Sequence, residues 1–282
     1  MYIDNYHTMK HDDSYTFVGD KDRKDELYMG FELEVDHCND SDSYDDEDEY
    51  YDAVSDDIDR CTDKISDLAC SRDPGFPGLC DFVHYEEDGS LDHGFEIITQ
   101  PTSVSKHLEF CAPDAFYDKM VKKCSNYGFL SHDARTCGLH VHLDKRFFGS
   151  YLDSCTAKLM FLFERHWDDL KKFSRRREEG WCHRRTNYGK PVNYKAYIDE
   201  AKHGYPDRYF AVNIANDNTI EIRLWRGTLN LNTLRATLKF TARLAQLAKD
   251  KTTVELAKMS FKDILGDDPD IIAYARTRNL VD

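Results

Sequence analysis

The chain has 282 residues, of which 40% are hydrophobic and 13% aromatic, and this composition predicts a folded protein rather than a disordered one. With 53 acidic and 38 basic residues the net charge is −15, so nucleic acid and anionic membranes are not expected partners. No apolar stretch approaches the ~20 residues of a membrane span, and no signal-peptide pattern opens the chain. We therefore expect a soluble, cytoplasmic protein whose nine cysteines are buried free thiols.

The first periodic pattern follows a polar, aperiodic opening. Residues 1–26 predict a loose leader, and residues 27–282 predict a single domain because no repeat or linker interrupts them. The segment YMGFELEVD (28–36) alternates apolar and acidic residues, as in a β-strand whose successive side chains point to opposite faces. One face carries Met29, Phe31, Leu33 and Val35, and the other carries Glu32, Glu34 and Asp36.

An acidic region over residues 36–59 comes next. Such an acidic run is typical of a solvated loop, but its second half predicts a helix, with Ile58, Cys61, Ile65, Leu68 and Ala69 at helical spacing. The two prolines and two glycines of SRDPGFPGLC (71–80) are expected to end that helix.

Two further segments show the alternation of a strand. GFEIIT (94–99) would turn Phe95 and Ile97 inward and Glu96 outward. GLHVHLD (138–144) would bury its three aliphatic residues and place His140, His142 and Asp144 together on the opposite face. Long helices are predicted over 103–126, 151–173 and 230–249, where apolar stripes are typical of helices that face a core.

A basic, irregular region over residues 174–208 contrasts with the acidic composition of the chain. Its cations are Arg175, Arg176, Arg177, Arg184, Arg185 and Lys190. Two interpretations remain: a solvated loop that balances the acidic region, or a flap that closes over an anionic substrate. Asn187, Tyr188 and Gly189 would let such a flap turn.

Two more strands complete a polar face of unusual chemistry. RYFAVNIA (208–215) would direct Asn213 to that face, and TIEIRLWRG (219–227) would direct Glu221, Arg223 and Trp225 there. Taken singly, Glu-x-Glu is typical of a solvated face, His-x-His of a hydrogen-bonded or zinc-binding pair, and Glu-x-Arg of a cross-strand ion pair. Together they concentrate carboxylates, which repel one another unless a cation such as Mg²⁺ or Mn²⁺ offsets their charge.

Four motifs, in this order, resemble the amidoligase family: GFELEVD, DGSLDHGFEIITQP, CGLHVHLD and NTIEIRLWRGTLN. The resemblance extends over about residues 27–248. Members of this family are carboxylate–amine ligases that share a fold with glutamine synthetases and glutamate–cysteine ligases. The resemblance implies an α+β fold whose curved antiparallel β-sheet has a polar concave face forming the active site, with helices packed on the other face.

The resemblance also implies the metal ligands. Glu32, His140 and Glu221 would hold a metal that bridges the nucleotide phosphates, and Glu34 and Glu96 would hold a second one. Glutamine synthetases have a further carboxylate shortly after the position of Glu96, which this chain lacks. Asp88 or Glu86 would take its place.

The remaining implied roles concern catalysis and the nucleotide. The catalytic candidates are Arg223, Arg226 and Arg208, which would face the transferred phosphoryl group, and His142, which would lie beside the substrate. The nucleotide-binding candidates are Arg223, Arg226, Asn213, Arg184 and Arg185.

The expected activity is ATP-dependent formation of an amide or isopeptide bond through an acyl phosphate, with Mg²⁺ or Mn²⁺. Its substrates would be a carboxylic acid and an amine, either small molecules or groups on a peptide or protein, and a homo-oligomer is compatible with the motifs. Two alternatives use the same residues: a metal-dependent phosphohydrolase, and a non-catalytic binding module of the same fold.

Overall fold

The protein has an α+β structure, as the sequence predicts. The computed structural model describes residues 26–37, 46–134, 136–177, 182–185, 194–204 and 207–282. In these residues an eight-stranded open antiparallel sheet has helices on one side, and ten α-helices are present. The predicted leader up to residue 25, part of the acidic region and residues 186–190 of the basic region lie outside the described residues.

The strands occur in the sheet in the order β2–β3–β1–β6–β8–β7, and β4 and β5 both pair with β1. The strands are β1 (Tyr28–His37), β2 (Val83–Glu86), β3 (Gly94–Thr99), β4 (Thr102–Ser103), β5 (Phe129–Leu130), β6 (Leu139–Asp144), β7 (Val212–Asn213) and β8 (Thr219–Ile222). The helices are α1 (Glu47–Ala69), α2 (Val104–Phe110), α3 (Phe116–Asn126), α4 (Leu152–Arg165), α5 (Trp167–Ser174), α6 (Tyr194–His203), α7 (Leu231–Asp250), α8 (Thr253–Lys258), α9 (Phe261–Leu265) and α10 (Pro269–Thr277).

The chain divides into two compact units. The first is built mainly from Gly30–Leu139 and Gly227–Leu234, and the second from His140–Arg226 and Arg235–Asp282. In the first unit the apolar residues predicted on one face of the sheet are fully buried: Phe31, Leu33 and Val35 of β1 and Phe95 and Ile97 of β3. Helix α1 is fastened to β2 there, because the Tyr85 hydroxyl donates to the carbonyl oxygen of Thr62 at 3.0 Å.

An aromatic core organises the second unit around Trp225, and this corrects one prediction. The eighth strand ends at Ile222, so the strand pattern predicted through residue 227 stops early. Trp225 is 1% exposed and packs against Phe163, Phe173 and Phe240 rather than lying on the polar face. The change of direction after the strand therefore turns a residue predicted to be polar-facing into a core residue.

Several helix predictions also need revision. The helix predicted over 103–126 is two helices, because Pro113 cannot continue a helix and Asp114 has a φ of 62°. The helix predicted over 151–173 is likewise interrupted at His166. Helix α1 begins at Glu47, which confirms the helix predicted for the second half of the acidic region, whereas α6 lies inside the stretch predicted to be irregular.

The cysteine prediction is wrong for one pair. Cys70 and Cys80, both exposed, form a disulfide in the first unit. The other described cysteines are buried free thiols, as predicted: Cys61, Cys111, Cys124, Cys137, Cys155 and Cys182. Among the described residues, no helix has the length and apolar composition needed to cross a membrane.

Candidate active site

Three carboxylates form a row across neighbouring strands of the first unit. Glu96 of β3 lies directly opposite Glu34 of β1 on one side and opposite Glu86 of β2 on the other. Residues directly opposite each other in antiparallel strands share a face, so the three side chains project together. All three are buried, with exposed fractions of 4% for Glu34, 5% for Glu96 and 6% for Glu86. We call these three residues the carboxylate row.

The row concentrates negative charge where water does not screen it. Burial, followed by the charges of Glu32, Glu34 and Asp88, raises the pKa of Glu96 from 4.5 to about 11. Like charges opposite each other in a sheet are destabilising, and a buried carboxylate is costly unless a partner offsets it. A proton on Glu96 relieves this repulsion, and a bound cation would relieve it as well.

The backbone around the row explains how these side chains come together. A Cβ atom on Gly94 would overlap the carbonyl oxygen of Val35, so only glycine lets β3 approach β1 this closely. The carboxylate of Asp36 accepts from the backbone N–H groups of Asp92 (3.2 Å) and His93 (2.8 Å), and thereby anchors the turn that follows Asp88. Asp36 thus supports the loop.

A second cluster lies in the second unit and is centred on Glu221. The Oε2 atom of Glu221 accepts from the side-chain amides of Asn213 (2.7 Å) and Asn216 (3.2 Å). Its Oε1 atom accepts from Nη1 of Arg223 at 2.5 Å and lies 3.7 Å from Nδ1 of His140. Glu221 and His140 are both 3% exposed, so the carboxylate and the imidazole face each other in a largely dry environment.

The other catalytic candidates, His142, Arg208 and Arg226, also lie in the second unit. His142 lies opposite Glu221 in the register of β6 and β8, and its Nδ1 is 3.0 Å from the hydroxyl of Thr219. The guanidinium of Arg208 lies over the ring of Tyr209 at 5.2 Å. Arg226 is half-buried, and its backbone N–H donates to Ser174 at 3.4 Å.

The arginines of the basic region make specific contacts within the second unit. Nε of Arg184 donates to the buried Glu164 at 3.2 Å, and Glu164 also accepts from the backbone N–H of Arg185 at 2.6 Å. The guanidinium of Arg185 pairs with Glu200 and stacks on Phe210 at 4.2 Å. Because these two side chains are engaged by the protein, a freely solvated loop does not describe this part of the region.

Five of the predicted metal ligands are buried or half-buried in the structure. They are Glu32, Glu34 and Glu96 in the first unit and His140 and Glu221 in the second. Asp88 contributes charge near Glu96, and Glu86 stands in direct register with it. Sequence reasoning missed Asn216, whose only signal is its position five residues before Glu221 in the turn that leads into β8.

Comparison with known proteins gives little beyond this geometry. No family model and no curated protein matches the chain. Its structure resembles a bifunctional glutathione synthetase from Pasteurella multocida, with a TM-score of 0.39 and 13% sequence identity. The likeness covers 90% of this chain but 46% of that protein, so the chain spans less than half of that protein's length. A likeness this weak carries no argument about activity.

Proposed function

We propose that this protein is an ATP-dependent ligase that joins a carboxylic acid to an amine through an acyl phosphate, with Mg²⁺ or Mn²⁺ bound. The observation that carries the proposal is the carboxylate row, where burial and neighbouring charge raise the pKa of Glu96 to about 11. Such a site favours a cation strongly. The four motifs that resemble the amidoligases supply the reaction type.

The side chains present fit hard divalent cations. Glu34, Glu96 and Glu86 offer only oxygen atoms, and oxygen is the ligand that Mg²⁺ and Mn²⁺ prefer. In our proposal these three, supported by Asp88, hold one ion.

The other ion is assigned to His140 and Glu221 in the second unit, whose single imidazole is compatible with Mn²⁺ or Mg²⁺. When bound, the ions would offset the charge of the ATP phosphates during transfer. Support for this assignment comes from the 3.7 Å approach of His140 to Glu221 in a buried setting.

The chemistry then proceeds in two balanced steps. An oxygen of the substrate carboxylate attacks the γ-phosphorus of ATP, the bond from that phosphorus to the bridging oxygen breaks, and ADP leaves. Arg223, with Arg226 and Arg208, is assigned to the charge on the transferring oxygens, because a guanidinium binds phosphate with two parallel hydrogen bonds.

In the second step the amine nitrogen attacks the acyl carbon, the bond from that carbon to the phosphate oxygen breaks, and inorganic phosphate leaves. The nitrogen loses a proton, and His142 is our candidate to accept it, because a neutral imidazole is a suitable base near neutral pH. The nucleotide contacts assigned to Asn213, Arg184 and Arg185 remain proposals, since each has a protein partner in this structure.

The test is release of ADP and phosphate from Mg²⁺-ATP, with the protein offered pools of carboxylic acids and amines. Wild type is compared with Glu221→Gln and with Glu109→Gln, a control that changes an exposed carboxylate on α2. Release that requires both pools, survives in Glu109→Gln and disappears in Glu221→Gln supports a ligase. Release that ignores both pools indicates a phosphohydrolase, and no nucleotide binding by calorimetry indicates a binding module.

A further inference from the structure

The carboxylate of Glu221 is clamped on one side by two asparagine amides. Both amides donate to the same oxygen, Oε2, at 2.7 Å from Asn213 and 3.2 Å from Asn216. The amide of Asn213 cannot be reversed without loss, because its Oδ1 accepts from the backbone N–H of Ala215 at 2.9 Å. Asn213 is 2% exposed, so its Nδ2 donors are directed to Glu221 in a fixed geometry.

Lys145 holds the turn that carries the second amide. The backbone N–H of Lys145 donates to the carbonyl oxygen of Asn218 at 3.0 Å, and its ammonium donates to the carbonyl oxygen of Asn216. The backbone of the turn between β7 and β8 is therefore held at Asn216 and at Asn218. Asn216 reaches Glu221 from a backbone that is itself held in place.

The clamp leaves the two oxygens of Glu221 in different conditions. Oε2 is committed to two buried or half-buried amide donors, whereas Oε1 accepts from Nη1 of Arg223 at 2.5 Å and lies 3.7 Å from Nδ1 of His140. A cation placed between Glu221 and His140 would therefore bind Glu221 through Oε1 alone, in place of the hydrogen bond from Arg223. Ca²⁺ commonly takes both oxygens of a carboxylate, while Mg²⁺ requires near-octahedral geometry at short distances and accepts single oxygens.

We propose that Asn213 and Asn216 are positioning residues that restrict Glu221 to one-oxygen binding and so make this site select Mn²⁺ or Mg²⁺ against Ca²⁺. This inference rests on the metal-binding role that the proposed function gives to Glu221. Both asparagines would act through their hydrogen bonds to Glu221, and Asn216 is not among the site residues that the sequence predicts. Hydrogen-bond partners of a metal ligand typically change metal affinity 10- to 100-fold when they are removed.

The experiment is calorimetric titration of the full chain with Mn²⁺ alone and with Ca²⁺ alone. The binding event that disappears in Glu221→Gln identifies the site. In Asn216→Ala we expect the Mn²⁺ affinity of that event to fall about 10-fold or more, and the preference for Mn²⁺ over Ca²⁺ to narrow by a similar factor. Asn218→Ala is the matched control, because Asn218 is an exposed asparagine of the same turn, and it should leave both affinities unchanged.

The outcomes separate this inference from the proposed function. If wild type binds Mn²⁺ at this site and Asn216→Ala keeps the wild-type ratio of Mn²⁺ to Ca²⁺ affinity, the clamp is structural only and the inference is overturned. If wild type binds neither ion, the metal assignment of Glu221 is overturned, and the clamp with it. Asn216→Ala is the primary variant because Asn216 is half-buried, whereas Asn213→Ala would leave a cavity at a buried position. Thermal unfolding without metal verifies that each variant is folded.

Discussion

Replacing Glu96 by glutamine should stabilise the metal-free protein at neutral pH, although it removes a proposed metal ligand. Burial and the neighbouring carboxylates hold the pKa of Glu96 in the folded protein far above its ordinary value of 4.5. Between these two values the folded chain binds one proton more than the unfolded chain. The free energy of unfolding therefore falls by about 1.4 kcal/mol for each pH unit as pH rises.

From pH 4.5 to pH 7 this effect reaches up to about 3 kcal/mol. Glutamine is neutral at every pH and close in shape to the protonated carboxyl group, so Glu96→Gln should lose this pH dependence. Added Mg²⁺ should make wild type more stable than Glu96→Gln, because ion binding raises the free energy of unfolding of wild type more than that of the variant.

The assay is urea unfolding followed by circular dichroism in EDTA at pH 5.5 and pH 7.5. Wild type should lose about 2–3 kcal/mol more than Glu96→Gln over these two pH units, and Glu109→Gln should behave as wild type. Equal pH dependence in wild type and Glu96→Gln would refute the assignment of a proton to the carboxylate row.

Three further predictions concern single features of the structure. Arg223→Lys should lower turnover at least about 10-fold while the melting temperature without metal stays within a few degrees, because lysine keeps the charge but loses the two-pronged hydrogen bonding of a guanidinium. Asp36→Asn should cost about 1–3 kcal/mol in urea unfolding, because the hydrogen bond from the backbone N–H of His93 loses its charged acceptor. Reducing the Cys70–Cys80 disulfide should cost about 2–3 kcal/mol by the same measurement, since its loss frees a short loop of the unfolded chain, and the Cys70→Ser/Cys80→Ser variant should no longer respond to reductant.

The alternating strands could be predicted from the sequence because their pattern is local. In β1 the apolar and acidic residues alternate at the period of a strand, and the structure buries the apolar set as expected. The register that aligns Glu34, Glu96 and Glu86 was not readable, since it depends on the pairing of segments that are about 60 and 10 residues apart.

Contacts between residues that are distant in the sequence could not be predicted from local patterns either. Trp225 continues the alternation of β8 in sequence but leaves the sheet, because the strand ends at Ile222 and aromatic partners from three other helices surround the indole. Arg184 and Arg185 look like part of a solvated basic region, yet a buried glutamate 20 residues earlier engages both. In contrast, the interruption after α2 had a local signal in Pro113, which ends a helical pattern.

The measurement that tests the central claim most directly is trapping of the acyl phosphate with hydroxylamine. The protein is incubated with Mg²⁺-ATP, hydroxylamine and pools of carboxylic acids, and hydroxamic acids are sought by mass spectrometry. Our account predicts a hydroxamate of one acid class, formed together with equimolar ADP by wild type and by Glu109→Gln but not by Glu221→Gln. Release of ADP and phosphate without any hydroxamate would contradict the ligase and indicate transfer of the phosphoryl group to water.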